Sequence, residues 1–166
     1  MDGLEEQLLD AAKRGDMQEV KRLIESGANV NAEDMEGNVL LRAVDEGHIE
    51  IVKYLVGQGA NIHADGEGYA LSSAAERGYL DIVKFIVEQG ANIHADNDYA
   101  LKRAAENGCV DVVKFLIEKG SPIEVAKGYG TDVVKDFCKA YELRKMLDNK
   151  LHQSTSTKTK ATKLKI

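Results

Sequence analysis

Apolar residues recur along this chain in two alternating patterns. In the first, a leucine is followed three and four positions on by small residues: Leu8 with Ala11 and Ala12, Leu40 with Ala43 and Val44, Leu71 with Ala74 and Ala75, Leu101 with Ala104 and Ala105. That spacing makes one face of a helix, and its alanines let a neighbouring helix approach closely. A glycine follows each copy: Gly15, Gly47, Gly78 and Gly108. The second pattern then begins, with apolar residues two, four, five, eight and nine positions beyond the glycine: Ile49, Ile51, Val52, Leu55 and Val56 in one copy, Leu80, Ile82, Val83, Ile86 and Val87 in the next, Val110, Val112, Val113, Leu116 and Ile117 in a third. This wider stripe predicts a second helix that packs against the first and against neighbouring copies. Acids three residues before lysines (Glu50 and Lys53, Asp81 and Lys84, Asp111 and Lys114) mark its solvated edge.

A second glycine stands twelve residues after the first in every copy, at Gly27, Gly59, Gly90 and Gly120. Glycine there ends the helix in a left-handed conformation. Extended segments follow, Ala28-Asn29-Val30-Asn31-Ala32, Ala60-Asn61-Ile62-His63-Ala64 and Ala91-Asn92-Ile93-His94-Ala95, each leading into a polar run. Equivalent glycines are separated by 32, 31 and 30 residues, so the shortening falls entirely in these connections. A period of about 20 to 50 residues specifies a stacked solenoid, because one unit cannot cover its own apolar face.

This succession resembles the ankyrin repeat from about Leu4 to Lys127. The resemblance implies an all-α ankyrin-repeat solenoid of stacked antiparallel helix pairs, about four repeats plus a degenerate C-terminal cap, with a concave protein-binding face. The Thr-Pro-Leu-His opening of the family is missing: the aligned tetrapeptides are Glu6-Gln7-Leu8-Leu9, Asn38-Val39-Leu40-Leu41, Tyr69-Ala70-Leu71-Ser72 and Tyr99-Ala100-Leu101-Lys102. With the connections also short, loops or one-bond turns are expected in place of full β-hairpins.

The expected units are 1–37, 38–68, 69–98 and 99–128, with a cap over 129–148. Glu19 and Arg22 interrupt the stripe of the first unit, which must face water on one side. In the cap, Tyr129 aligns with Tyr99, Cys138 replaces the expected first glycine, and Ala140, Leu143, Met146 and Leu147 continue the second-helix pattern. The segment 149–166 has five lysines and no acid, and its composition predicts a disordered basic tail.

A net charge of −6 and a pI near 5.3 argue against nucleic-acid binding. With no leader and no apolar run of membrane-spanning length, the chain is expected to be cytoplasmic, in a host cell if it comes from an intracellular parasite or virus. Cys109 and Cys138, set on neighbouring helices about 8 to 10 Å apart, are too distant for a disulfide, which needs Cα atoms within about 7 Å. Two free thiols fit a reducing compartment. The histidines His48, His63, His94 and His152 do not converge on a metal, and are expected to brace turns. Neither Ser72, Ser73 nor the cysteines sit in a nucleophilic motif. No catalytic residue, cofactor or metal is therefore expected, and the chain is read as a monomeric, non-enzymatic protein-binding module.

Residues that differ between copies are the candidates for recognition. The resemblance places the position five before each first glycine on the inner curve: Asp10, Arg42, Ser73 and Arg103. Nearby stand Glu46, Arg77 and Asn107 just before the glycine, and Asp65 and Asp96 in the turns. Arg42 and Arg103 are expected to fork onto carboxylates of a partner. Tyr69, Tyr99 and Tyr129 fall in register and are read either as packing for the loops or as binding anchors. An alternative drawn from the resemblance is a substrate of an Asn/His hydroxylase acting on ankyrin repeats, at Asn31 and the aligned His63 and His94.

Overall fold

A computed structural model describes residues 3–64, 66 and 68–163, with the backbone alone from 153 to 163. Among the described residues ten helices follow one another: α1 (Gly3–Arg14), α2 (Met17–Glu25), α3 (Val39–Asp45), α4 (Ile49–Gly57), α5 (Tyr69–Glu76), α6 (Leu80–Glu88), α7 (Ala95–Glu106), α8 (Val110–Lys119), α9 (Ile123–Tyr129) and α10 (Asp132–Lys163). Odd-numbered helices stack on one another, even-numbered helices do the same, and one continuous aliphatic core lies between the two rows. The leucines and alanines of the first pattern and the valines, isoleucines and leucines of the second fill it: Leu8, Leu71, Leu101, Val52, Leu55, Val83 and Leu116 are fully buried. The fold is the all-α repeat solenoid that the periodicity predicts.

The first glycine of each unit is where consecutive units lock. Gly15, Gly47, Gly78 and Gly108 all have φ between 72° and 79°, which L-residues avoid. Each also lies beneath a side chain from the next unit. A methyl group built on Gly15 would sit 2.5 Å from His48 Cε1, on Gly47 2.8 Å from Tyr79 Cζ, on Gly78 3.0 Å from Cys109 Sγ, and on Gly108 3.4 Å from Thr131 Oγ1. The covering residue is always the one after its own unit's first glycine. His48 Nε2 lies 3.1 Å from Lys13 O, and with a carbonyl opposite, that nitrogen carries the proton. Cys109 Sγ donates over 3.5 Å to Glu76 O, the same station two repeats further on. His48, Tyr79 and Cys109 are N-cap residues that make no capping bond from their side chains. Asp16, in the unit with no predecessor, instead caps its own helix by accepting from Glu19 N at 3.0 Å.

The seat at Gly108 corrects the expected register of the cap. Thr131 occupies it, so Gly130 is the first glycine of the fifth unit and α9 its first helix. Cys138, eight residues on, takes the core position held by Leu55, Ile86 and Leu116, and is fully buried beside Val134. The cap thus begins near Ser121 rather than at 129, because Pro122 leads straight into α9 with no connecting loop. Tyr129 ends α9 and is out of register with Tyr99. Twelve residues after Gly130 stands Glu142, where the other units have their second glycine. Nothing there ends the helix: no glycine or proline lies between Asp132 and Lys163, and α10 continues through 149–163, where composition predicts disorder. Leu143, Met146 and Leu147 are 56–58% exposed and add nothing to the core.

The connections also depart from expectation. The first, the longest of the three, closes as a minimal antiparallel hairpin of β1 (Glu33–Asp34) and β2 (Gly37–Asn38), with Glu33 opposite Asn38 and Asp34 opposite Gly37. One or two extra residues suffice for it. The third turns through Asp96, Asn97 and Asp98, all left-handed with φ of 50–59°; Asn and Asp tolerate that region best among non-glycine residues. Among the described residues of the second connection no strand forms.

Gly59 has a left-handed φ of 92° with open space around it, whereas Gly47 has the same handedness and the Tyr79 ring above it. Gly59→Ala is expected to cost about 1–2 kcal/mol from backbone conformation alone. Gly47→Ala must also displace the ring, and should cost about 2–4 kcal/mol. Urea denaturation of the two variants measures the difference, and equal losses would show that the seat contributes nothing.

Candidate protein-binding face

The candidate residues five before the first glycine lie on α1, α3, α5 and α7, the stacked row of first helices. Ser73 and Arg103 each meet the residue two before the first glycine of the preceding unit. Arg103 spans from α7 to α5 and holds Glu76 in a two-point fork, Nε to Oε2 at 3.0 Å and an Nη to Oε1 at 2.5 Å, while its other Nη reaches Glu106 at 3.0 Å. Ser73 donates to Asp45 on α3, and an Arg77 Nη lies 3.6 Å from the same Asp45 oxygen. Acid and donor therefore alternate up the stack.

At the first junction this arrangement meets a conflict, since the facing residues are Lys13 and Arg42. The hairpin resolves it. Arg42, only 10% exposed in its side chain, donates from one Nη to both Asp34 oxygens at 2.6 and 2.7 Å and from the other to Glu36 at 3.1 Å. Glu36 also lies 3.8 Å from Lys13 Nζ. The Nε of Arg42 is buried without a hydrogen-bond partner, so the guanidinium is held by its outer edge alone. Hydrogen bonds from Arg42, helped by the Glu36 and Gly37 backbone N–H groups, hold the Asp34 carboxyl below the usual carboxylate range.

These contacts correct the reading of Arg42 and Arg103. Both do fork onto carboxylates, but the carboxylates belong to the chain itself. Asp10 is likewise paired, with Arg14 on its own helix, and Asn107 donates through Nδ2 to Arg103 O at 2.9 Å. Glu46, Arg77 and Asp96 are exposed, and Asp65 lies outside the described residues. Tyr69, 53% exposed, begins α5, and Tyr99, 40% exposed, follows the left-handed residues Asp96, Asn97 and Asp98 inside α7; each stands one helical turn before Ser73 or Arg103, on the same face. The Arg103 guanidinium carbon is 5.9 Å from the Tyr99 ring centroid. Tyr129 is half exposed elsewhere, with Lys102 Nζ 4.2 Å from its ring centroid.

Asp45 and Glu76 fall among the copy-varying residues just before the first glycine, but the sequence did not pair them with Ser73 and Arg103; matching charges between copies at that fixed offset would have done so. Met35, fully exposed between Asp34 and Glu36 at the hairpin tip, left no periodic signal.

A family model described as ankyrin repeats (3 copies) matches residues 5–66 and 63–127. The chain belongs to the ankyrin repeat family. No curated protein matches it. Ankyrin repeats are generally protein–protein interaction modules, and the family is typically non-enzymatic.

The remaining chemistry of this ankyrin stack is structural. Burial pushes the Cys109 thiol up, with the Glu76 carboxylate adding to it, and burial does the same for Cys138, beside Glu142. Both cysteines are free, and they occupy different stations in their units, one at a glycine seat and the other in the core. No group of three potential metal ligands forms among the described residues, and no described helix is long and apolar enough to cross a membrane. Asn31 accepts from Asn61 N at 2.8 Å and donates to Gly59 O at 3.3 Å, so both ends of its amide clasp the next repeat. His63 and His94, at the same station, each close a backbone N–H onto Asn61 or Asn92, and the His94 ring Nδ1 meets Asp98 at 2.7 Å.

A carboxyl with a depressed folded pKa contributes stability that is present above the unfolded value and lost as pH falls through the folded one. Asp34 should therefore stabilise the hairpin at neutral pH and release it below about pH 4, the ordinary aspartate range. Urea midpoints measured from pH 7 to pH 2 should fall less steeply at the acid end for Asp34→Asn, which also starts from a lower midpoint at pH 7. Identical profiles would show that Arg42 gains nothing from this partner.

Proposed function

We propose that the protein binds a protein partner through the face formed by α3, α5 and α7 and the connections beside them. The single observation that carries this is the pair of half-exposed tyrosines, Tyr69 and Tyr99, standing one repeat apart at the same station over a floor whose guanidinium groups are already engaged. Aromatic side chains on a rigid support lose little entropy on binding and are enriched among residues that dominate interfaces. The ion pairs beneath them act as that support. Glu33 in the first connection, Glu46 after α3 and Asp96 in the third connection are exposed carboxylates, which suits a partner surface bearing lysine or arginine.

Arg42 and Arg103 hold the floor together, so substituting them would test stability and binding at once. The tyrosines separate the two. Tyr69→Ala combined with Tyr99→Ala is expected to weaken affinity for a partner captured from the native cell by about tenfold or more, with the melting temperature unchanged. Full retention of capture by this variant would defeat the proposal.

A further inference from the structure

Two departures from the repeat meet at the C-terminal end of the stack. After Gly120 the connection is missing, and the chain passes through Ser121 and Pro122 directly into α9. At Glu142, where a second glycine would end the helix, α10 continues instead. Between these two segments lies a cavity of about 690 Å³, walled by Ile117 of α8, Ile123 of α9, and Tyr141 and Met146 of α10. Mainly apolar walls around a volume of about 300 to 1,000 Å³ are what sites for small molecules present. The cavity shares no lining residue with the face formed by α3, α5 and α7.

Two polar groups in its lining lack a polar counterpart. Ser121 stands where the other units have Ala28, Ala60 and Ala91. It is 4% exposed, and its Oγ is buried with no hydrogen-bond partner among the described residues. A buried hydroxyl left unsatisfied is destabilising, and the alanine of the other units would avoid that cost. Lys145, exposed at the rim, has no carboxylate bound to it among the described residues, and its Nζ lies 5.0 Å from the Tyr141 ring centroid. Glu142, also in the lining, is engaged by Lys127 Nζ at 3.2 Å. We infer that the cavity binds a small amphipathic anion. Its apolar body lies against Ile117, Ile123 and Met146, a hydroxyl or carbonyl oxygen at its inner end accepts from Ser121 Oγ, and its anionic end meets Lys145. Met146, 56% exposed and flexible, lets the outer wall adapt to the body.

Titration of the isotope-labelled full chain with ω-hydroxydecanoate, followed by backbone amide shifts in NMR spectra, tests it. Saturable shifts are expected at Gly120, Ser121, Ile123 and Met146, with a Kd of about 1 mM or tighter. Ser121→Ala should lower the affinity ratio of ω-hydroxydecanoate to decanoate, which lacks the hydroxyl, by about threefold or more. The same variant should raise the melting temperature of the free protein by about 1–3 °C, since it removes an unsatisfied group. Lys145→Glu, at an exposed position outside the core, should weaken ω-hydroxydecanoate by about tenfold or more and leave the uncharged decanediol within about twofold. A wild-type chain without saturable shifts, shifts centred elsewhere on the stack, an unchanged ratio in Ser121→Ala, or equal losses of charged and uncharged ligand in Lys145→Glu would each overturn the proposal.

Discussion

The stack depends on a space that only glycine can leave empty. At Gly15, Gly47, Gly78 and Gly108 the backbone turns into the left-handed region and the next unit's side chain lies over the vacant Cβ position. At Gly15 and Gly47 the two demands coincide: conformation alone would tolerate an asparagine, but a Cβ would also lie within 2.8 Å of the covering ring, and both together exclude any side chain. The identity of the covering group is far less constrained. Imidazole, phenol, thiol and hydroxyl all serve, because the seat requires a modest volume and, at two of the junctions, a donor for the carbonyl two residues before the glycine. An invariant glycine therefore faces a variable partner across each seam.

A consequence reaches the helix termini. The residue best placed to cap a second helix is drawn away to the preceding unit, and among α2, α4, α6 and α8 only α2, through Asp16, has the capping that this position normally provides. Inter-repeat contact is bought with local helix stability, a trade that favours cooperative folding of neighbouring units over folding of any one alone.

Charge follows the same geometry. Because every unit is superposed on the last with the same offset, the side chain five before a first glycine faces the one two before the first glycine of the preceding unit, and their charges must agree. Asp45 with Ser73 and Glu76 with Arg103 agree directly. Lys13 with Arg42 does not, and the acidic hairpin is the correction, its two carboxylates drawn over the buried guanidinium. Ion pairs that are partly buried contribute less to net stability than to fixing a single arrangement, since breaking one leaves a charge that cannot easily be solvated. Their effect here is to hold α3, α5 and α7 in place under the exposed tyrosines.

The helical pairing, the location of the aliphatic core and the number of full repeats follow from the sequence alone, since Leu8 to Ala105 and Ile49 to Ile117 repeat a local period that no tertiary contact has to supply. Three features required the folded chain. Gly130 could be recognised as a repeat glycine only through Thr131 sitting on Gly108, because the unit before it had lost its connecting loop and spacing no longer pointed to it. The arginines could be identified as candidate contacts from sequence, yet whether Arg42 reaches outward or folds onto Asp34 depends on a hairpin that the repeat period does not announce. And whether the leucines after Tyr141 enter the core depends on where the core stops, at the last seat, which local periodicity cannot see. A repeating pattern determines each unit and its neighbour; the ends of the stack and the ownership of its charges are decided by which surfaces meet.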